Sequence, residues 1–395
     1  MHDSTTPGSF SNTRVNTQDM TQPQRILAID LGKFKSVACD YNPTTREHHF
    51  DTIPTRPQDF HDLLAERRPD RLVIEVGSAA GWVKDLAEAL DIAVQVANPN
   101  HDAWRWKNVK RKTDKDDALK LAQLSAMDQL PTLVLPNSGV RQWRSLIAYR
   151  WALVGRRTAI KNSIRAILDR QGLTHAAGKK GWTKQSLAGL GLMAYPLDQV
   201  DADELWRGQL DIELQALEQI EGLVKQVEAK LESLTASDKR VEQLQTIPGV
   251  GPRLAEVVVA VIDDPKRFKS AKQVGAYAGL VPKQYESGTM NRQGRITGQG
   301  NKLLRALLVE VSWLMRRYNP VLNAIFDRVC GGSKARRKIA VVATARRLLV
   351  MCWAMLRDGT TWNPPESPPE SPPEASPEAS PEASPSVSQA MASAT

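Results

Sequence analysis

The chain has 395 residues, 41% hydrophobic and 25% charged, with 53 Lys and Arg against 44 Asp and Glu and a formal net charge of +9. One core is excluded at this length, because single cores rarely grow much past roughly 250 residues, and two or three domains are expected. Three widely spaced cysteines, Cys39, Cys330 and Cys352, exclude a disulfide framework or a CxxC metal site and fit a reducing cytoplasm.

Charge is unevenly spread. From Pro364 onward the chain carries Glu366, Glu370, Glu374, Glu378 and Glu382 and no Lys or Arg, so removing those five acids from +9 leaves +14 on the rest. Such an excess favours a polyanionic partner, nucleic acid before membrane. No run of about 18 apolar residues is visible and the N-terminal two dozen residues are polar, so neither a membrane span nor a secretion signal is expected.

Residues 1–24 are aperiodic and rich in Ser, Thr, Asn and Gln, the composition of a disordered leader. From Arg25 the apolar patterns RILAIDLG, SVACDY and HHFDTI predict three successive strands. A helix from Pro57 to Arg67, the strand RLVIEVG, the helix AAGWVKDLAEAL, the strand IAVQVAN, a basic loop and the helix DKDDALKLAQL follow. Three strands before the first helix predict an α/β RNase H-like (RuvC-like) domain over 25–135, whereas a dinucleotide fold alternates from the start.

Residues 138–240 read as a helical hairpin. Its first helix, Val140 to Arg170, carries Arg141, Arg144, Arg150, Arg156, Arg157, Lys161, Arg165 and Arg170 against Asp169 alone. Its second, Glu204 to Leu234, steps Leu217, Ile220, Val224, Val227, Leu231 and Leu234 by threes and fours, a coiled-coil seam that closes on its partner helix or dimerises. Over 243–358 a mostly α unit is expected. It opens with LQTIPGVGPRLAEVVVAVI, a helix-hairpin-helix-like element whose Pro-Gly-Val-Gly turn exposes backbone N–H groups suited to a phosphate. The Pro/Glu/Ser-rich tail, 363–395, is expected to be extended and unfolded.

Carboxylates are placed as a two-metal site needs them. Asp30 ends the first strand, Glu75 lies in the fourth, and Asp114 and Asp117 stand three apart on one helix face, with Asp116 pointing away. Such a set can hold two Mg²⁺ or Mn²⁺ about 4 Å apart for phosphoryl transfer. Zinc would want His or Cys, and His48, His49 and His101 lack ligand spacing. Each acid also has a plain structural reading: Asp30 as a loop residue, Asp114 as a helix N-cap, Glu75 as the partner of a buried Arg. Glu75 is the most telling, because a charge inside an apolar strand is costly to bury without a metal or a partner. IDLGKFKS also invites comparison with the first phosphate loop of an actin-like sugar kinase, but Phe34 and Lys35 stand where Thr is needed and no second phosphate loop follows.

IDLGKFKS, VIEVGSAAGW, KTDKDDALKLAQL, TIPGVGPRLA and YAGLVPKQYESGTMNRQGRITGQGNKLLRALLVE together resemble the DEDD insertion-sequence transposases of the IS one-ten family, relatives of the pilin-gene invertase. The resemblance runs in order from about Arg25 to Leu356 and implies that Asp30, Glu75, Asp114 and Asp117 form the DEDD tetrad. It also implies that Ser287, before Gly288, attacks the DNA backbone to give a 5′-phosphoserine link, although a Ser in a Gly-rich loop is ordinarily a turn residue. Arg292, Arg295 and Arg305 then lie near enough in sequence to contact phosphate.

The family further implies DNA (element ends and target) as substrate, a bridge RNA from the element as guide, a tetramer or dimer of dimers, and a bacterial cytosolic setting. Trp104, Trp106, Lys107, Lys110, Arg111 and Lys112, with Arg144, Arg156, Arg157, Lys161 and Arg165, mix aromatic and basic groups in the way a nucleic-acid backbone would use. Two other readings stay open: a junction resolvase using a metal-activated water, and a nucleic-acid-binding protein on an inactive nuclease fold.

Overall fold

A computed structural model of the protein describes residues 24–98, 113–287 and 290–364, apart from the side chains of residues 286, 287, 290, 291 and 293. The expected leader, most of the expected tail, and Trp104, Trp106, Lys107, Lys110, Arg111 and Lys112 lie outside the described residues. The chain forms two compact units. The first comprises residues up to 241 with 252–269 and 301–304, and the second comprises 242–251, 270–300 and 305 onward.

In the first unit, β1 (Ile26–Asp30), β2 (Lys35–Tyr41) and β3 (His48–Pro54) precede α1 (Pro57–Arg67), β4 (Arg71–Glu75), α2 (Ala80–Ala89), β5 (Ala93–Ala97) and α3 (Asp114–Ala126). The sheet order is β3-β2-β1-β4-β5. The first three strands are antiparallel, while β4 and β5 run parallel to β1, the RNase H-like arrangement. Alternation along each strand decides which residues face which layer. Leu27, Ile29, Leu72 and Ile74 pack with α1 and α2 through Phe60, Leu64, Val83 and Ala87. Ile26, Ala28 and Val73 face the other way, against Ala118, Leu121 and Ala122 of α3.

The tight turn after β1 has a steric cause. A Cβ on Gly32 would meet the Lys35 carbonyl oxygen at 2.0 Å, and the Gly32 carbonyl accepts from Thr55 Oγ1 at 3.0 Å. Gly32 therefore serves the β1–β2 turn.

α4 (Ser138–Arg170) and α6 (Leu205–Thr235) pair as an antiparallel hairpin, with α5 (Lys184–Gly191) between them in sequence. Arg150 meets Glu228 at 2.5 Å, Lys161 meets Glu221 at 3.2 Å and Ser163 donates to Glu213 at 2.7 Å, so residue numbers rise on one helix as they fall on the other. Leu153, Ile164 and Leu168 interlock with Leu210, Leu217, Ile220 and Val224 between them. α7 (Lys239–Gln245) and α8 (Pro252–Ile262) follow.

The second unit holds α9 (Ala271–Tyr277), β6 (Pro282–Ser287), β7 (Met290–Ile296), most of α10 (Lys302–Met315), α11 (Pro320–Cys330) and α12 (Arg337–Asp358). The β6–β7 hairpin is an addition to the mostly α expectation. With its preceding turn, α12 spans Lys334–Asp358 and passes the length and composition test for a membrane span, although half of its apolar window is buried within the protein. Ala340, Val341, Ala345, Leu348, Leu349 and Cys352 form its buried face. Arg346 and Arg347 interrupt the apolar stretch, which is why no such run stands out in the sequence.

Candidate functional site

β1 and β4 run parallel in a register that pairs Ile29 with Ile74, so Asp30 and Glu75 are the next residues on neighbouring strands. Neighbouring strands lie about 4.8 Å apart. Asp30 is two residues beyond Ala28 and Glu75 two beyond Val73, which puts both on the face covered by α3. Each is partly buried at the carboxyl end of its strand.

α3 delivers the other two acids. Ala118, Leu121, Ala122 and Ser125 form its buried stripe, and Asp114 and Asp117 extend that stripe by four residues toward the helix start, Asp114 exposed and Asp117 half-buried. Both ends of α3 are fixed. At the start, Thr113 is the N-cap and Asp116 completes a capping box: the Thr113 hydroxyl accepts from the Asp116 N–H, and Asp116 accepts from the Thr113 N–H at 3.1 Å. Asp114 is therefore not the N-cap, and Asp116 is occupied by the cap. At the other end the buried Arg71 donates to the Ser125 carbonyl at 3.3 Å, and Ser125 Oγ donates to Gln95 at 2.7 Å.

Four carboxylates thus project from three elements toward one end of one sheet face. Among the described residues, no three carboxylates, imidazoles or thiols converge closely enough to hold a metal ion. The donor chemistry, oxygen alone, still suits Mg²⁺ or Mn²⁺.

Ser287 ends β6 opposite Met290, at the tip of the hairpin; Gly288 and Thr289 lie outside the described residues. Arg292 and Arg295 are exposed on β7. Arg305 is drawn into structure, its Nη1 donating to the Ala278 and Gln299 carbonyls at 3.0 Å each. These donations tie together two glycine-bearing segments in which a Cβ on Gly279 would meet the Gln299 oxygen at 1.9 Å.

The basic helix is divided in the same way. Arg144 donates to the Ala260 and Val261 carbonyls at 2.7 and 3.0 Å, neutralising the C-terminal end of α8. Lys161 is paired with Glu221, and Lys161 and Arg165 both lie over the Trp182 ring, at 4.9 and 5.1 Å. Arg156 is exposed and Arg157 half-buried, and neither makes an ion pair among the described residues.

A cleft of 1130 Å³ in the second unit brings together Arg295, Arg328, Lys338, Arg346 and Arg347. Only Arg295 of these was apparent in the sequence. The signal for the others was the helical spacing of Lys338, Arg346 and Arg347 beside the apolar strip Ile339, Val342 and Val350.

Two family models match the chain: a transposase model of the DEDD type of IS110 over residues 27–172, and one described as transposase IS116/IS110/IS902 family over residues 241–327. The chain is 27% identical over 341 residues to a probable family 20 transposase of Pseudomonas aeruginosa, spanning 86% of this chain and 98% of that protein. It is 26% identical to the transposase for insertion sequence element IS1111A of Coxiella burnetii, over 84% of this chain and 89% of that one. A pilin gene-inverting protein of Moraxella lacunata is 33% identical over 30% of this chain and 37% of its own. Among solved structures, T. thermophilus RuvC in complex with Holliday junction substrate matches 28% of this chain and 99% of that chain, at 15% identity and a TM-score of 0.21. With both models in order along it, the chain belongs to the IS116/IS110/IS902 family of DEDD transposases and is a DNA transposase.

Proposed function

We propose that the protein excises and inserts its element through a covalent serine–DNA intermediate, with Asp30, Glu75, Asp114 and Asp117 as metal-binding carboxylates and Ser287 as nucleophile. The observation that carries this reading is the neighbouring register of Asp30 and Glu75 beneath the acidic first turn of α3. Bound Mg²⁺ or Mn²⁺ would neutralise phosphate charge and lower the barrier to deprotonating a hydroxyl. Asp30 and Glu75 would hold ions from the sheet side, and Asp114 and Asp117 from the helix. The capping box and the Arg71–Ser125 contact keep α3 in place while they do so. A serine ester conserves the phosphodiester bond energy, so strands are exchanged without ATP.

Arg292, Arg295, Arg156 and Arg157 are the expected phosphate contacts, while Lys161, Arg165 and Arg305 have structural work as well and Arg144 is committed to the end of α8. A guide RNA and a multimer, needed to join two duplexes, complete the proposal. The test incubates protein, Mg²⁺, RNA transcribed from the flanks of the gene and labelled element-end DNA, then looks for DNA-linked protein on denaturing gels. A linked band lost in both Ser287→Ala and Asp114→Ala is the expected result. Cleavage without a linked band would make water the nucleophile and the protein a junction resolvase.

A further inference from the structure

We propose that the cleft of the second unit is a binding site for single-stranded DNA, held without regard to base sequence. Its charge comes from four places: Arg295 on β7, Arg328 on α11, and Lys338 and the Arg346–Arg347 pair on α12. No carboxylate lines it, and none of the five cations makes an ion pair among the described residues. Lys338 and Arg346, eight residues apart, are separated by about 12 Å along the helix axis. The cleft therefore offers an extended row of positive charge with no carboxylate among its described lining residues.

The space is built for these groups. A Cβ on Gly275 would come within 2.9 Å of Arg346 Nε, so the glycine lets that side chain lie against α9. Between the cations the lining is aliphatic: Leu280, Ile296, Ile325, Val329, Ile339 and Val342. Ile339 is 61% exposed, a large apolar side chain held open to solvent at the cleft wall.

That combination selects the ligand. A duplex presents phosphate and sugar and keeps its base faces stacked, so an aliphatic lining gains nothing from it. An unpaired strand presents phosphates to the cations and its apolar base faces to the aliphatic floor, in van der Waals contact and not in stacking on an aromatic platform. Among the described lining residues there is no hydroxyl, amide or carboxylate side chain, so the polar groups that face the strand are the guanidinium and ammonium donors, which meet phosphate on any sequence. DNA is the strand assigned because it is the substrate of this enzyme class, and the RNA arm of the test decides between the two. The assignment rests on the reading that strands are cut and exchanged, but its test involves no cutting, so the two can fail separately.

The test measures binding of the full chain in EDTA to a labelled 15-nucleotide oligothymidylate across a salt series, with oligouridylate and a duplex of the same length as the other arms. Oligothymidylate is expected to bind more tightly than the duplex. In Arg328→Gln/Arg347→Gln, two exposed positions, affinity should fall about tenfold and the salt slope by about 1.4, at about 0.7 per lost phosphate contact. Ile339→Ser should weaken binding with the slope unchanged, which a purely electrostatic surface would not show. Circular dichroism checks that each variant is folded. An unchanged slope in the double variant, unchanged affinity in Ile339→Ser, a preference for duplex, or RNA bound tenfold more tightly than DNA would each overturn the assignment.

Discussion

At the scale of single residues, the structure separates cations that hold the protein together from cations free to meet phosphate. Arg144 is the clearest of the first kind. Charged hydrogen bonds contribute about 1.5–3 kcal/mol each, and Arg144 makes two, partly exposed, to the last carbonyls of α8. Arg144→Ala should therefore lower stability by about 2 kcal/mol in denaturant titration while leaving the salt slope of DNA binding unchanged. A lowered slope with stability intact would return Arg144 to the nucleic-acid surface. Glu256, 3% exposed, supplies a pH signature. Burial raises its carboxyl above the ordinary range, against the opposing effects of the Trp143 indole N–H at 3.1 Å and the charge of Arg253. With the folded value raised, its favourable contribution is complete below the unfolded carboxylate pKa and is lost as pH rises through the folded one. Glu256→Gln keeps an acceptor for Trp143 and removes the titration. Its melting temperature relative to the parent should climb as pH goes from 4 to 8, and a falling difference would reverse the assigned sign.

At the scale of elements, legibility followed apolar content. β1 and β4 are runs of apolar residues ending in an acid, so both the strands and Asp30 and Glu75 showed in the sequence. The β6–β7 hairpin did not, because PKQYES and MNRQGRI are largely polar and lack the alternation that marks a half-buried strand. The grouping of the cleft cations was hidden for a different reason: Arg328 and Lys338 come from two further elements, and only folding makes them neighbours of Arg295. The start of α3 at Asp114 was legible, but its cap was open, since Asp114 and Thr113 are both good caps and only the reciprocal bonds with Asp116 decide between them. That cap gives the element its prediction. Thr113→Ala should cost about 1 kcal/mol of stability and loosen the turn that carries Asp114 and Asp117. DNA cleavage should fall and the apparent Mg²⁺ requirement should rise, both measured by metal titration, with Thr113→Ser restoring them. A loss of stability with an unchanged metal requirement would separate α3's cap from the site.

At the scale of the whole molecule, charge is segregated along the chain. The stretch before Pro364 carries +14, and the acidic groups that follow bring the total to +9. A polyanion-binding surface does not need that acidic segment for its chemistry. None of the proposed catalytic residues lies in it, and α12, the last described helix, is anchored by its own buried face before it begins. The segment does matter to the field that DNA meets on approach, because five negative charges on the same chain weaken the attraction, most of all at low ionic strength. Deleting residues 364–395 should therefore leave the cleavage rate of bound DNA intact, while raising the association rate at 50 mM salt more than at 200 mM. Stopped-flow binding and single-turnover cleavage measure the two separately. A large loss of cleavage in the shortened chain would place the acidic segment in the chemistry, and an association rate indifferent to its removal would show that the local cations, and not the net charge, govern capture.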